Sequence, residues 1–259
     1  MKWKLGDFAG IGVYVHWSFW ILPAWILMSG LGGGLFAALA SVGFVFAIFG
    51  CVVLHEFGHA LMARQYHIGT RDITLYPIGG VASLERIPQR PSQELAIALA
   101  GPAVNVVIAA ALFAVLLVVG IGTQGLIFNL EGGSFLTNLM LVNVMLVVFN
   151  MLPAFPMDGG RVLRAVLAWN MPYVRATEIA ARVGQGVALL LGLVGLFTGG
   201  TLIFVAMFVF LAAQAELAMV QRRPETSSHP FFGRPRVMKP HRTEGGGIVW
   251  LAEPTTNEE

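Results

Sequence analysis

Charge is scarce in this sequence: 12% of its 259 residues are Asp, Glu, Lys or Arg, against 56% hydrophobic, and the mean hydropathy is +0.75. Soluble domains carry about a quarter charged residues, so the composition excludes that class and indicates a polytopic membrane protein. Cysteine is scarcer still. Cys51 stands alone, which excludes intrachain disulfides and a cysteine zinc cluster. A cleavable signal pattern is also missing, because the first apolar run lacks a small-residue processing site and more apolar runs follow it. That run reads as a signal anchor. No large excess of one charge exists either. The net charge of +2 gives no reason to expect a nucleic-acid partner.

What is present is a series of apolar runs. Six of them approach the length of about 20 residues that a bilayer core of about 30 Å demands: 13–28, 35–63, 94–121, 135–152, 179–198 and 202–220. The expected fold is therefore all-α and polytopic, with six transmembrane helices forming a core over residues 1–221 and a short tail over 222–259. All 16 Lys and Arg fall on alternate connections: before the first run, between the second and third, between the fourth and fifth or at the start of the fifth, and in the tail. By the positive-inside rule both termini are cytoplasmic.

Inside the second run lies HEFGH: His55, Glu56 and His59. Ionisable residues in a spanning helix are costly and by default mark a functional site. Residues four apart share a helix face, so His55 and His59 can grip one metal ion, with Glu56 beside it as a general base toward water. His59 lies about 7 Å and His55 about 13 Å deeper than Arg64, the first charge after the run, at 1.5 Å per residue. Such a site needs a polar cavity open to the cytoplasm. Cys51, one turn before His55, shares the metal-facing side and reads as a small buried hydrophobe.

Catalytic zinc takes three protein ligands. His16, His67, His229 and His241 read as interfacial or solvated. Asp158, in NMLPAFPMDGGR after the fourth run, is the better third ligand, because Pro153 and Pro156 end that run at the depth of His59. On spacing alone, Asp158 reads more readily as the cap of a short interfacial helix.

HEFGH, GPAVN (Gly101, Pro102, Asn105) and NMLPAFPMDGG occur in that order on the second span, on the third and after the fourth. Together they resemble the site-2 protease family of intramembrane zinc metalloproteases, over about residues 10–220. The resemblance implies one Zn2+ per chain held by His55, His59 and Asp158, with Glu56 catalytic. It also implies a transmembrane protein substrate and a place in a prokaryotic inner membrane. Met157 stands where the family has Leu, and Met151 where it has Pro; both departures spare the metal-binding atoms. Asn150 matches a family asparagine associated with substrate. Asn105 reads as an interhelical hydrogen-bonding residue, and with Asn150, Gly79 and Gly80 it is a candidate substrate-binding residue.

The segment 72–84, DITLYPIGGVASL, is rich in β-formers around Gly79 and Gly80 and reads as a small membrane-associated β element after the second helix. Its edge suits pairing with an unwound substrate. The tail is too short for the peptide-binding (PDZ) or nucleotide-binding (CBS) domains that some relatives carry, so regulation is expected from a membrane partner. RRPETSSHP and TTNEE read as disordered and GIVWL as a short strand or partner contact. The leading expectation is regulated intramembrane proteolysis. The alternatives are a metal transporter, for which several sites along a pore are expected, and a catalytically silent metal-binding scaffold, for which Glu56 would be unnecessary.

Overall fold

The computed structural model describes residues 1–86, 88, 90–119, 134–198, 200–221, 238–242 and 248–252. The chain divides into two units, Met1–Val220 and Gln221–Glu259.

The first unit opens with β1 (Lys2–Phe8) and β2 (Ile11–His16), an antiparallel pair. The turn between them is Ala9–Gly10, both left-handed at φ 51° and 79°, the primed-turn geometry that matches strand twist. A 3-10 turn over Trp17–Trp20 leads into α1 (Ile21–Gly30) and then α2 (Leu35–Gln65). His67, left-handed at φ 57°, turns the chain back into β3 (Thr70–Tyr76) and β4 (Gly79–Leu84). The four strands form one sheet in chain order, with β2 and β3 parallel and β3 and β4 antiparallel. The rest of the unit is helical: α3 (Pro91–Val118), α4 (Phe135–Asn150), α5 (Asp158–Leu167), α6 (Tyr173–Phe197) and α7 (Thr201–Gln221).

The expected bounds of the first span and of the β element are corrected here. Four helices, α2, α3, α6 and α7, are long and apolar enough to cross a membrane, and α4 is a shorter apolar helix of 16 residues. The stretch 13–28, expected as a span, divides into β2, the 3-10 turn and the ten-residue α1. Its beginning alternates with period two: Ile11, Val13 and Val15 are buried, Ile11 and Val15 against α2 and β3, while Tyr14 and His16 are half-exposed, the signature of a strand with one covered face. The β element is consequently larger than the expected hairpin, because the N-terminal strands complete it. Its turn is Pro77–Ile78, so Gly79 and Gly80 open β4 and do not form the bend.

Val15, Phe19, Val45, Phe49 and Leu75 join β2, the 3-10 turn, α2 and β3 in one cluster. Phe155, Ala180, Ala181 and Ala213 join the α4–α5 connection to α6 and α7. The sheet is therefore packed onto the helix that carries HEFGH, and the connection that carries Asp158 is packed onto the last two long helices.

In the second unit, β5 (Met238–Arg242) and β6 (Ile248–Ala252) pair antiparallel; β6 covers most of the GIVWL stretch. RRPETSSHP and TTNEE lie outside the described residues.

Candidate metal centre

His55 and His59 face the same way, one turn apart on α2, and their Nε2 atoms are 3.0 Å from each other. Asp158, the first residue of α5, brings Oδ2 to 3.1 Å from Nε2 of His55 and 3.2 Å from Nε2 of His59. One donor atom from each residue lies within 4.8 Å of the other two, and all three residues are buried. The capping alternative for Asp158 fails on this geometry. The residue preceding α5 is Met157, with no side-chain cap, and the aspartate carboxylate is turned to the histidines.

The protonation of the two rings follows from their outer nitrogens. His59 Nδ1 lies 2.6 Å from the carbonyl oxygen of Ile97, which only accepts, so Nδ1 carries the proton and Nε2 a lone pair. His55 Nδ1 lies 2.6 Å from Oδ1 of Asn105, and here a longer chain fixes the roles. Asn143 donates from Nδ2 to the carbonyl oxygen of Leu139 at 2.9 Å, so its Oδ1 faces Asn105 and accepts from Nδ2 at 2.9 Å. Asn105 thus presents Oδ1 to His55, which must donate from Nδ1. Both Nε2 atoms then carry lone pairs, and with Asp158 Oδ2 three electron-rich atoms converge. They repel unless a cation sits among them.

Space for that cation is left by α3. A Cβ on Gly101 would collide with Nε2 of His59 and stand 2.7 Å from Nε2 of His55. The helix can come this near because α2 and α3 touch through small residues: a Cβ on Gly58 would lie 2.6 Å from the carbonyl oxygen of Ala100. Ile97, Gly101 and Asn105 follow at intervals of four on α3 and meet His59, the donor cluster and His55 in turn. Two neutral imidazoles and a carboxylate, each ring oriented by a hydrogen bond from its other nitrogen, are the donor set of a catalytic zinc site.

Asp158 is held in place from both ends of its segment. The glycines after it let the α4–α5 connection fold back tightly, since a Cβ on Gly160 would lie 2.7 Å from the carbonyl carbon of Ala154. Farther along α5, buried Arg164 donates from Nε to Glu94 of α3 at 2.8 Å and from Nη1 to Glu216 of α7 at 2.5 Å. Its guanidinium also stands over the rings of Phe155 and Tyr173, 4.9 and 5.0 Å from their centroids.

Glu56 does not join the three donors. Its Oε2 accepts a hydrogen bond from the main-chain N–H of Ala82 in β4 at 3.1 Å, and a Cβ on Gly80 would lie 2.8 Å from its Cγ. Gly79 and Gly80 therefore begin the strand that lies against Glu56. Asn105 is fully buried behind His55, and Asn150 is the half-buried last residue of α4. Cys51, buried, receives a hydrogen bond on Sγ from Nδ2 of Asn143 at 3.4 Å. Asn143 was missed by sequence reasoning, although an asparagine within LVNVML was the available signal.

A sheet-flanked helix bearing HExxH, with an aspartate brought in from a later connection, defines a membrane metallopeptidase class, and comparison with known proteins agrees. The model of peptidase family M50 matches residues 43–131 and 118–191, and the chain belongs to that family. A protein named zinc metalloprotease from Methanocaldococcus jannaschii is 38% identical over 220 residues, 84% of this chain and 61% of that one. Rip3 of Mycobacterium tuberculosis is 35% identical over 232 residues, 82% of this chain and 58% of the other. The chain thus spans about three-fifths of the length of these curated relatives. Among solved structures, the site-2 protease from Methanocaldococcus jannaschii matches with a TM-score of 0.60 and 37% identity, covering 84% of this chain and 95% of that one.

Proposed function

We propose that this protein is an intramembrane zinc metalloprotease that hydrolyses a peptide bond in or near the transmembrane segment of a membrane-protein substrate. The observation that carries the reading is the convergence of His55, His59 and Asp158 around a space reserved by Gly101, with Glu56 next to it on the same helix.

His55, His59 and Asp158 would hold the ion, and Glu56 would be the catalytic base. Zinc, when bound, supplies Lewis acidity toward water and toward the scissile carbonyl. Glu56 takes the proton of the attacking water and passes it to the leaving amine, so the carboxylate ends the cycle as it began. Asn105 and Asn143 keep His55 in the tautomer that offers Nε2, and Ile97 does the same for His59. Asn150, at the end of α4, is proposed to lie along the substrate's path. A transmembrane substrate hides its carbonyls in helical hydrogen bonds, so a stretch of it must be held extended. The edge of β4, from Gly79 and Gly80 onward, is suited to that by strand addition.

Taking the helical run Trp17–Gly33 and α4 as crossings beside the four long helices gives six passes. Every Lys and Arg then falls on the cytoplasmic side together with both termini. The exposed Trp3, Trp17 and Trp20 match an aromatic belt at the membrane surface beside the sheet. Glu56 favours a protease over a silent scaffold. The single His and Asp cluster among the described residues favours it over a transporter.

The test is cleavage of a panel of single-span model substrates by the purified protein in liposomes. Wild type should cut within or near the span. Glu56→Gln should lower the rate by about 10²–10⁴-fold while retaining one zinc per chain, and chelator should stop cleavage. Normal turnover by Glu56→Gln protein would sink the mechanism.

A further inference from the structure

The contact between Glu56 and Ala82 joins the catalytic base to the strand proposed to receive substrate. In an antiparallel pair, residues alternate between those that exchange main-chain hydrogen bonds with the neighbouring strand and those whose N–H and C=O point away from it. Ala82 is opposite Ile73 in the register of β3 and β4, yet its N–H goes to Glu56. Ala82 is thus at an outward-pointing position, and the alternation gives Gly80 the same orientation. β4 is the last strand of its sheet, so among the described residues no further strand pairs with the outward row. A carboxylate oxygen stands where the carbonyl oxygen of an added strand would stand.

We propose that the Ala82 N–H restrains Glu56 in the substrate-free protein, and that an extended segment of substrate releases it by taking that N–H for itself. Both acceptors compete for one hydrogen. While Glu56 holds it, one carboxylate oxygen is engaged away from the metal donors. When a substrate strand pairs along β4, its carbonyl replaces the carboxylate at Ala82 and the base is freed as the peptide arrives. The proton thus remains on the amide throughout; only its acceptor changes. Strand pairing then does two jobs, positioning the chain and switching on the base. A water-filled site without substrate keeps its base occupied, which limits idle reaction with whatever else enters. This inference rests on the proteolytic reading.

A double-mutant cycle tests it. Glu56→Gln keeps a side-chain oxygen for the Ala82 amide, whereas Glu56→Ala removes it, and both variants cut a bound peptide too slowly to disturb a binding measurement. Binding of a fluorescent synthetic single-span peptide, its span interrupted by Gly-Pro, is measured with the full chain in nanodiscs. Glu56→Ala should bind about 5-fold more tightly than Glu56→Gln, the equivalent of one hydrogen bond of about 1 kcal/mol no longer displaced. Ala82→Pro deletes the N–H at an edge position where proline is tolerated, and in that background the gap should shrink to less than about 2-fold. Equal or weaker binding by Glu56→Ala, a gap that persists with Ala82→Pro, or no binding to either variant would overturn the proposal. The first comparison stands alone if Ala82→Pro does not fold. Cleavage of the same peptide by zinc-loaded wild type separates the two readings: cleavage without coupling defeats only the restraint, and coupling without cleavage defeats only the protease.

Discussion

Two buried polar clusters lie at opposite ends of α5, and they are built on opposite plans. At its start, His55, His59 and Asp158 gather three electron-rich atoms, and Arg161 reaches only the other carboxylate oxygen of Asp158, at 4.0 Å. Further on, Glu94 and Glu216 gather two carboxylates around Arg164, which supplies the positive charge. The second cluster is complete in itself and ties α3, α5 and α7 together. The first is completed from outside. A buried array of unmatched acceptors is expensive, so a protein that maintains one beside a self-sufficient array has separated the work of binding from the work of holding the fold.

The comparison can be broken most severely at Gly101. Gly101→Ala puts a methyl group where the donors converge, and zinc content measured on the purified protein should fall from one per chain to near zero. The protein should still fold, because the ion-paired cluster is untouched. Arg164→Ala should do the reverse. It strands two carboxylates and should cost about 3–5 kcal/mol, the range for removing one partner of a buried ion pair, seen as a lower midpoint in thermal unfolding. Zinc should remain bound in the fraction that stays folded. A smaller effect is expected behind the metal donors: Asn143→Ala frees Asn105 to rotate and should weaken zinc binding about 10-fold, in the range for supporting residues of metal ligands, as read by chelator competition.

The smallest effect should come from the exposed pair of Lys2 and Asp72, which joins β1 to β3. The hydrogen bond from Lys2 holds the Asp72 carboxyl below its ordinary value. Its contribution is therefore present above the usual carboxylate range and lost as pH falls through that lowered value. Lys2→Ala should leave the unfolding midpoint at neutral pH almost unchanged and should reduce only the fall in stability on acidification.

The two clusters also differ in how much of them could be read from the sequence. The donors were legible because each sits in an unusual local setting: two histidines at helical spacing in an apolar run, and an aspartate after a pair of prolines. Glu94 and Glu216 sit near the ends of apolar runs and Arg164 between two of them, where a charge is unremarkable, and nothing local announces that they meet. The same reason hid β2. Over residues 13–28 the hydropathy is that of a span, and only the alternation of Val13 and Val15 with Tyr14 and His16 separates strand from helix. Its parallel partner, β3, begins more than 50 residues later in the chain, beyond any local pattern. Asn105 was visible as a polar residue in a span, but its direction was not. It backs His55 from behind, at a position only packing between α2, α3 and α4 could fix.

The length of α2 bears on what happens after a cut. Its 31 residues extend about 46 Å at 1.5 Å per residue, against about 30 Å of hydrocarbon, and His55 comes about 30 Å along it. If Leu35 marks one boundary of the lipid, the proposed bond-breaking chemistry falls near the opposite margin. Under the proposed function, hydrolysis would create a new ammonium and a new carboxylate, and each would be stranded at high energy if it formed halfway through the bilayer. Formed at the margin, both ends would be born within reach of water, and the shortened product of the proposed reaction could leave without dragging a charge through oil.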